Sequence, residues 1–87
     1  MHDKYSALGT FVAYGNKFQI DVEYSQDMDG EITVDRATLI GIYLDGDKKP
    51  SSLNHGIVLD LGYLSPDEEF EIEEIATRDA FYNAGLE

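Results

Sequence analysis

The clearest pattern in the chain is a strict alternation of apolar and polar positions over residues 18–24. Phe18, Ile20, Val22 and Tyr24 alternate with polar side chains. Successive side chains of a β-strand point to opposite faces, so this segment predicts a strand with one buried and one wet face.

Three further segments are predicted to be strands. Residues 7–14 are rich in aromatic and β-branched side chains. Residues 32–44 predict one long strand, interrupted near Arg36, in which Ile40, Ile42 and Leu44 share one face. Residues 57–61 predict a short fourth strand, preceded by a turn or loop over residues 45–56. Gly15-Asn16 predicts a two-residue hairpin turn, because glycine readily adopts the positive φ that such turns need.

The last element is predicted to be a helix with clear start and stop signals. Ser65 is the candidate N-cap, Pro66 suits the first helical position, and Glu68 completes a capping box. Gly85 suits the C-terminal stop. Six side chains supply apolar contacts, and they spread wider than one stripe, which predicts packing on two sides: Phe70, Ile72, Ile75, Ala76, Ala80 and Phe81. The predicted fold is a single α+β domain over residues 1–87, a small antiparallel sheet of about four strands with one C-terminal helix.

The amino-acid composition excludes several kinds of function. The 87 residues carry a formal net charge of −12 and contain no cysteine, which excludes a disulfide scaffold, a cysteine-based zinc site and a thiol nucleophile. Such acidity opposes direct binding to nucleic acid, since phosphates would be repelled. No apolar run is long enough to span a membrane, and no signal peptide precedes the first strand. We therefore expect a cytoplasmic protein.

The acidity is concentrated in two segments. Residues 21–47 carry eight acids and one arginine, and residues 67–79 carry seven acids and one arginine. On the predicted helix, Asp67, Glu71 and Glu74 share one exposed stripe. Asp67 and Glu71 are a like-charge i,i+4 pair, which costs helix stability, whereas Glu74 and Arg78 are an attractive one.

This stripe has two interpretations. A solvated helix face is the commonest explanation of a charge run. Alternatively, carboxylates about 5–6 Å apart imitate a row of phosphates and bind a basic surface. In that hypothesis the binding residues are Asp67, Glu68, Glu71 and Glu74, joined by Asp21 and Glu23 if the strand acids adjoin the helix.

Asp27 and Asp29, with Gly30, resemble the start of an EF-hand calcium loop. The twelfth position of that loop should be a bidentate glutamate, but Arg36 stands there, and the flanking segments are predicted to be strands. A polar hairpin turn is the simpler interpretation. No spacing of a phosphate-binding glycine loop or of a nucleophile and its base is present, so we expect a protein that is not an enzyme and has no cofactor.

The segments GNKFQIDVEY and LSPDEEFEIEEIA, with the hairpin-rich middle between them, resemble small acidic proteins encoded by phages and prophages. Several such families are inhibitors, including DNA mimics such as the phage uracil-DNA glycosylase inhibitors and small anti-CRISPR and anti-restriction proteins. The resemblance implies a non-enzymatic protein-binding module, a DNA-mimic inhibitor acting on the basic surface of a host nucleic-acid-binding protein in the bacterial cytoplasm. The alternatives are a small structural or assembly protein that forms homo-oligomers through a sheet edge, and a calcium-binding module.

Overall fold

The computed structural model describes residues 3–85, with side chains described from Lys4 to Tyr82. In this range one antiparallel sheet has the strand order β1-β2-β3-β4 and is followed by a single helix. The elements are β1 (Asp3–Ala13), β2 (Asn16–Gln26), β3 (Ile32–Tyr43), β4 (Ser51–Val58), a 3₁₀ turn (Leu61–Tyr63) and α1 (Pro66–Gly85). The predicted α+β fold, with four strands and a C-terminal helix, is confirmed.

The hairpin between β1 and β2 turns one residue earlier than the sequence predicts. Ala13 pairs with Asn16, so Tyr14 and Gly15 form the turn, with φ angles of 53° and 75°. A type I′ turn requires positive φ at both central residues. Asn16 is therefore the first residue of β2 and not a turn residue. Its side chain donates a hydrogen bond to the Tyr14 carbonyl oxygen at 3.1 Å.

Strand β3 is one long strand, but it is interrupted twice. Its pairing with β2 shifts register beside Glu23 and again beside Gln19, which leaves Asp35 and Ile40 as the extra residues. A bulge reverses the alternation of side chains. Core packing therefore passes from Ile32 and Val34 to Ala37 and Leu39, and then to Ile42. The predicted interruption near Arg36 is confirmed.

The predicted shared face of Ile40, Ile42 and Leu44 is wrong. Leu39 instead of Ile40 is fully buried, while Leu44 lies beyond β3 with 53% of its surface exposed. Strict alternation fails here because the second bulge falls at Ile40.

Strand β4 begins six residues before the predicted start, inside the predicted loop. Its pairing with β3 is irregular: Leu39 lies opposite Ile57 and Gly41 lies opposite Ser52. Four residues of β4 thus face a single residue of β3. Residues 51–56 have no period-two alternation, so their pairing comes from the neighbouring strand and not from their own hydrophobic pattern.

The start of α1 follows the predicted capping box. The Glu68 backbone N–H donates to Ser65 Oγ at 3.2 Å, and the Ser65 backbone N–H donates to Glu68 Oε1 at 3.0 Å. These two bonds satisfy donors that a helix start otherwise leaves unpaired. The helix extends to Gly85. Gly85, the residue predicted as the stop, is the last residue of α1, and residues 86 and 87 lie outside the described residues.

Helix α1 packs on one face of the sheet through a narrow stripe. Ile72, Ala76 and Ala80, spaced four residues apart, are buried against it, whereas Phe70 and Phe81 are 66% and 80% exposed. The prediction that these two phenylalanines supply packing contacts on a second side is wrong, because they lie on the side of the helix turned away from the sheet. The sheet and helix share one core: Ala7, Phe11, Ala13, Phe18, Ile20, Val22, Tyr24, Ala37, Leu39, Ile72, Ala76 and Ala80.

Two contacts fix the helix against the first two strands. Gly9 of β1 lies directly under Ile75, so that a Cβ atom on Gly9 would stand 2.8 Å from Ile75 Cδ1. The buried Tyr24 of β2 donates a hydrogen bond from its hydroxyl to Asp79 Oδ2 at 2.6 Å, and its ring stacks on Tyr5 at a centroid distance of 5.4 Å.

The substitution Gly9→Ala is expected to lower the free energy of unfolding by about 1–3 kcal/mol, because the added methyl group overpacks the contact with Ile75. Urea denaturation measures the loss. In an Ile75→Ala background the same substitution should cost much less, because the opposing atoms are gone. Equal costs in the two backgrounds would show that Gly9 is not needed for helix approach.

Candidate functional site

The predicted binding residues of the helix lie together on α1. Asp67 is exposed, and Glu71 and Glu74 are partly exposed, so they form a continuous acidic stripe along the helix. Glu74 forms the predicted ion pair with Arg78. Glu68 belongs to the same turn as Asp67, but one of its oxygens is engaged in the cap with Ser65. The acidic stripe is therefore defined as Asp67, Glu71 and Glu74.

The strand acids lie on the other side of the sheet. Ile20, Val22 and Tyr24 are buried beneath the helix, and residues of a strand alternate between its faces. Asp21 and Glu23 therefore point to the open face, away from α1. The structure does not bring them together with the acidic stripe.

On the open face the two acids have different surroundings. Glu23 Oε2 lies 3.8 Å from Arg36 Nε in an exposed ion pair, and such pairs contribute little to stability. Asp21 lies between Leu8 of β1 and Thr38 of β3, and its Oδ1 is buried without a hydrogen-bond partner. Burial raises the pKa of the Asp21 carboxyl above its ordinary value, and the nearby Glu23 charge raises it further.

The calcium-loop candidates form a hairpin turn. Asp27 Oδ1 accepts hydrogen bonds from the backbone N–H groups of Asp29 at 2.9 Å and Glu31 at 2.8 Å. These contacts are those of an Asx turn, in which the carboxylate replaces a backbone acceptor. Among the side chains described from Lys4 to Tyr82, no three His, Cys, Asp or Glu residues converge on a metal site.

An exposed aromatic ridge lies beside the acidic stripe, and the sequence alone did not identify it. Phe70 and Phe81 are eleven residues apart, which is about three helical turns, so they lie on nearly the same side of α1 and about 16 Å apart along it. Glu74 lies between them. The signal was present in the spacing, because both positions fall opposite Ile72 and Ala76 on a helical projection.

A groove separates the acidic stripe from the edge of the sheet. This β1–α1 groove has a volume of about 640 Å³. Its strand side includes Leu8, Gly9 and Thr10, and its helix side includes the polar or aromatic residues Glu71, Glu74, Arg78, Asp79 and Tyr82. Its helix wall carries three carboxylates and one guanidinium, that of Arg78, which pairs with Glu74, so the wall has a net negative charge. Its strand wall is the free edge of the sheet.

Comparisons with protein-family models, with curated proteins and with solved structures found no match for this chain. Within residues 3–85, no helix has the length and apolar character that a membrane span requires.

The raised pKa of Asp21 predicts the pH dependence of stability. Above about pH 3.9, the ordinary carboxyl pKa, unfolded chains lose this proton before native ones do. The charged carboxylate therefore lowers native stability as the pH rises through its native pKa. Asp21→Asn should be more stable than the wild-type protein at pH 7. The gain should shrink as the pH falls through the native pKa of Asp21 toward about pH 3.9, because the wild-type carboxyl then becomes protonated in the native state.

Urea titrations between pH 3 and pH 7 measure this difference. Asp45→Asn is the matched control, since it makes the same change in net charge on an exposed loop. If the two variants gain equally at pH 7, the gain comes from net charge and not from burial at Asp21.

Proposed function

We propose that this protein is a non-enzymatic acidic protein-binding module. The outward side of α1 would occupy a basic groove on a nucleic-acid-binding protein and so act as a DNA mimic. The observation that supports it is the combination on α1 of the acidic stripe with two exposed phenylalanines. The fold does not require this combination, because the helix packs through Ile72, Ala76 and Ala80.

The acidic stripe would supply attraction and orientation. Neighbouring acids on a helix face cost stability, and only Glu74 of the three has an ion-pair partner among the described residues. Their Cβ atoms are about 5–6 Å apart, which approaches the spacing of phosphates along a nucleic-acid strand. With a net charge of −12, association with a basic surface would be steered over long range and weakened by salt.

The phenylalanines would supply the salt-insensitive part of the affinity. Burying a phenylalanine side chain is worth about 1.5–3 kcal/mol, and aromatic residues are typical anchors of protein interfaces. Phe70 and Phe81 flank the stripe residue Glu74 at both ends of the ridge. A partner would thus present apolar pockets bordered by lysine or arginine.

A homo-oligomer is the alternative function. The free edge of β1, with Leu8 and Val12 exposed beside it, is the observation that favours it. In that case apolar contacts and strand pairing carry the interface, and association would change little with salt. Mimic binding would weaken steeply as salt is added.

Charge reversal tests the acidic stripe. Purified wild-type protein serves as bait in a bacterial lysate, with elution by increasing salt and then by duplex DNA. We expect capture of a nucleic-acid-binding protein that DNA displaces, because both ligands would occupy one groove. The double variant Glu71→Lys with Glu74→Lys should lose this capture while remaining folded by circular dichroism.

The control for charge reversal is Asp45→Lys with Asp47→Lys, which makes the same change in net charge in the loop after β3. This control should retain capture. Unchanged capture by the helix variant, or equal loss by both variants, would refute the assignment of the site to the acidic stripe.

The aromatic ridge gives a separate prediction. Phe70→Ala with Phe81→Ala should leave the free energy of unfolding nearly unchanged, because both side chains are exposed. It should weaken binding of the captured partner by about tenfold or more, as loss of interface anchors does. Calorimetry at low and high salt checks this, and the loss should be similar at both. Wild-type affinity in the double variant would contradict an anchoring role.

A further inference from the structure

The free side of β1 presents a regular row of unpaired backbone groups. The first and fourth residues of the hairpin turn, Ala13 and Asn16, form a hydrogen-bonded pair, and such pairs alternate along an antiparallel ladder. Register between β1 and β2 is continuous from Ala13 to Asp3. The odd residues of β1 therefore bond to β2, and the N–H and C=O groups of Leu8, Thr10 and the other even residues point outward.

This edge lacks the usual protection against strand pairing. Natural edge strands are commonly short, bulged or interrupted by proline. Strand β1 has eleven residues, has no proline and has no register shift against β2. The opposite edge, β4, differs because its register is irregular. Of the two edges in the described range, only β1 is a continuous template.

The surroundings of the edge differ on its two sides. On the helix side, the β1–α1 groove presents Glu71, Glu74, Arg78 and Tyr82. Arg78 pairs with Glu74, whereas Glu71 has no ion-pair partner among the described residues, and the carboxylates outnumber the single cation. On the open face, Leu8 and Val12 are exposed. A strand added beside β1 would alternate its side chains between these two environments.

We infer that the β1 edge binds an extended basic segment of a partner protein as a fifth strand, with lysine or arginine at every second position. Those basic side chains would enter the groove, and the apolar side chains between them would lie beside Leu8 and Val12. Alternate residues of a strand are about 6.6–6.8 Å apart, close to the spacing of Glu71 and Glu74 on α1. Tyr82 offers a ring face for a further cation.

This inference rests on the proposed function, because Glu71 and Glu74 belong to both surfaces. It adds strand pairing, which recognises an extended backbone. A second copy of this chain is the less favourable occupant. Antiparallel pairing of two β1 edges would place Glu71 and Glu74 of each copy on the same side of the joined sheet, between chains that each carry −12.

The test uses the full chain and a fluorescein-labelled peptide, Gly-Lys-Val-Lys-Val-Lys-Val-Gly. Fluorescence anisotropy should show saturable binding at low salt. A control peptide carries N-methyl groups on its three valines. In the proposed register these nitrogens face β1, so methylation removes the pairing donors while it preserves every side chain and charge. The control should bind about tenfold more weakly or worse.

The matched protein variants are Thr10→Pro and Thr10→Val. Proline removes the outward N–H and is tolerated where a strand edge faces solvent, whereas valine keeps that N–H and the shape of the side chain. We expect Thr10→Pro to lose about tenfold in peptide affinity and Thr10→Val to stay close to wild type. Amide hydrogen exchange gives an independent signature, because the peptide should slow exchange at Leu8 and Thr10 far more than at Gly9.

The outcomes separate the two proposals. If Glu71→Gln with Glu74→Gln loses the peptide, but Thr10→Pro and the methylated peptide behave like their controls, strand pairing is refuted and the acidic stripe stands. If Thr10→Pro loses peptide binding while capture from the lysate is unaffected, the β1 edge binds extended basic segments, but the captured partner binds through another surface. Absence of peptide binding to the wild-type chain, or a dimer in sedimentation that Thr10→Pro dissolves, would overturn the inference.

Discussion

The close packing of α1 against one face of the sheet is the constraint on which the rest of the structure depends. A chain of 87 residues buries a modest core, and here one helix packs against one side of β1, β2 and β3. The approach is close because the contacting residues are small: Gly9 lies under Ile75, and Ala76 and Ala80 are buried at the interface. At the same helix–sheet interface, the hydrogen bond from the Tyr24 hydroxyl to Asp79 joins the helix to β2.

This packing decides which side chains remain available for binding. A helix that contacts the sheet through a narrow stripe leaves most of its circumference in solvent. The acids of α1 and the two exposed phenylalanines lie on that circumference, while Asp21 and Glu23 lie beyond the sheet. Among the described residues, acids thus lie on two surfaces separated by the core, and the helical surface combines its carboxylates with the exposed rings of Phe70 and Phe81.

The edge of β1 is a second consequence of the same geometry. Helix α1 contacts β1 through Ile75 and Gly9, and the groove lies between the acidic stripe and the outer edge of β1, so the outward backbone groups of β1 stay accessible. The groove has one wall of net negative charge and one wall of outward-facing backbone groups. In the proposals made above, the charge would select a basic partner and the strand edge would select an extended one.

Local sequence determined the features that depend on neighbouring residues. The alternation of Phe18 to Tyr24 specified β2, and Ser65, Pro66 and Glu68 specified the start of α1, because a strand face and a helix cap are set within a few residues. It also placed Asp67, Glu71 and Glu74 on one stripe. The acidity and its division into two segments follow from composition alone.

Only the tertiary structure decided the features that depend on distant contacts. The early start of β4 comes from pairing with β3, and the burial of Leu39 in place of Ile40 comes from a bulge against β2. Phe70 and Phe81 are exposed because the helix packs on the sheet through Ile72, Ala76 and Ala80 instead. The separation of Asp21 and Glu23 from the acidic stripe is likewise a matter of which sheet face the helix covers, and no local pattern encodes that choice.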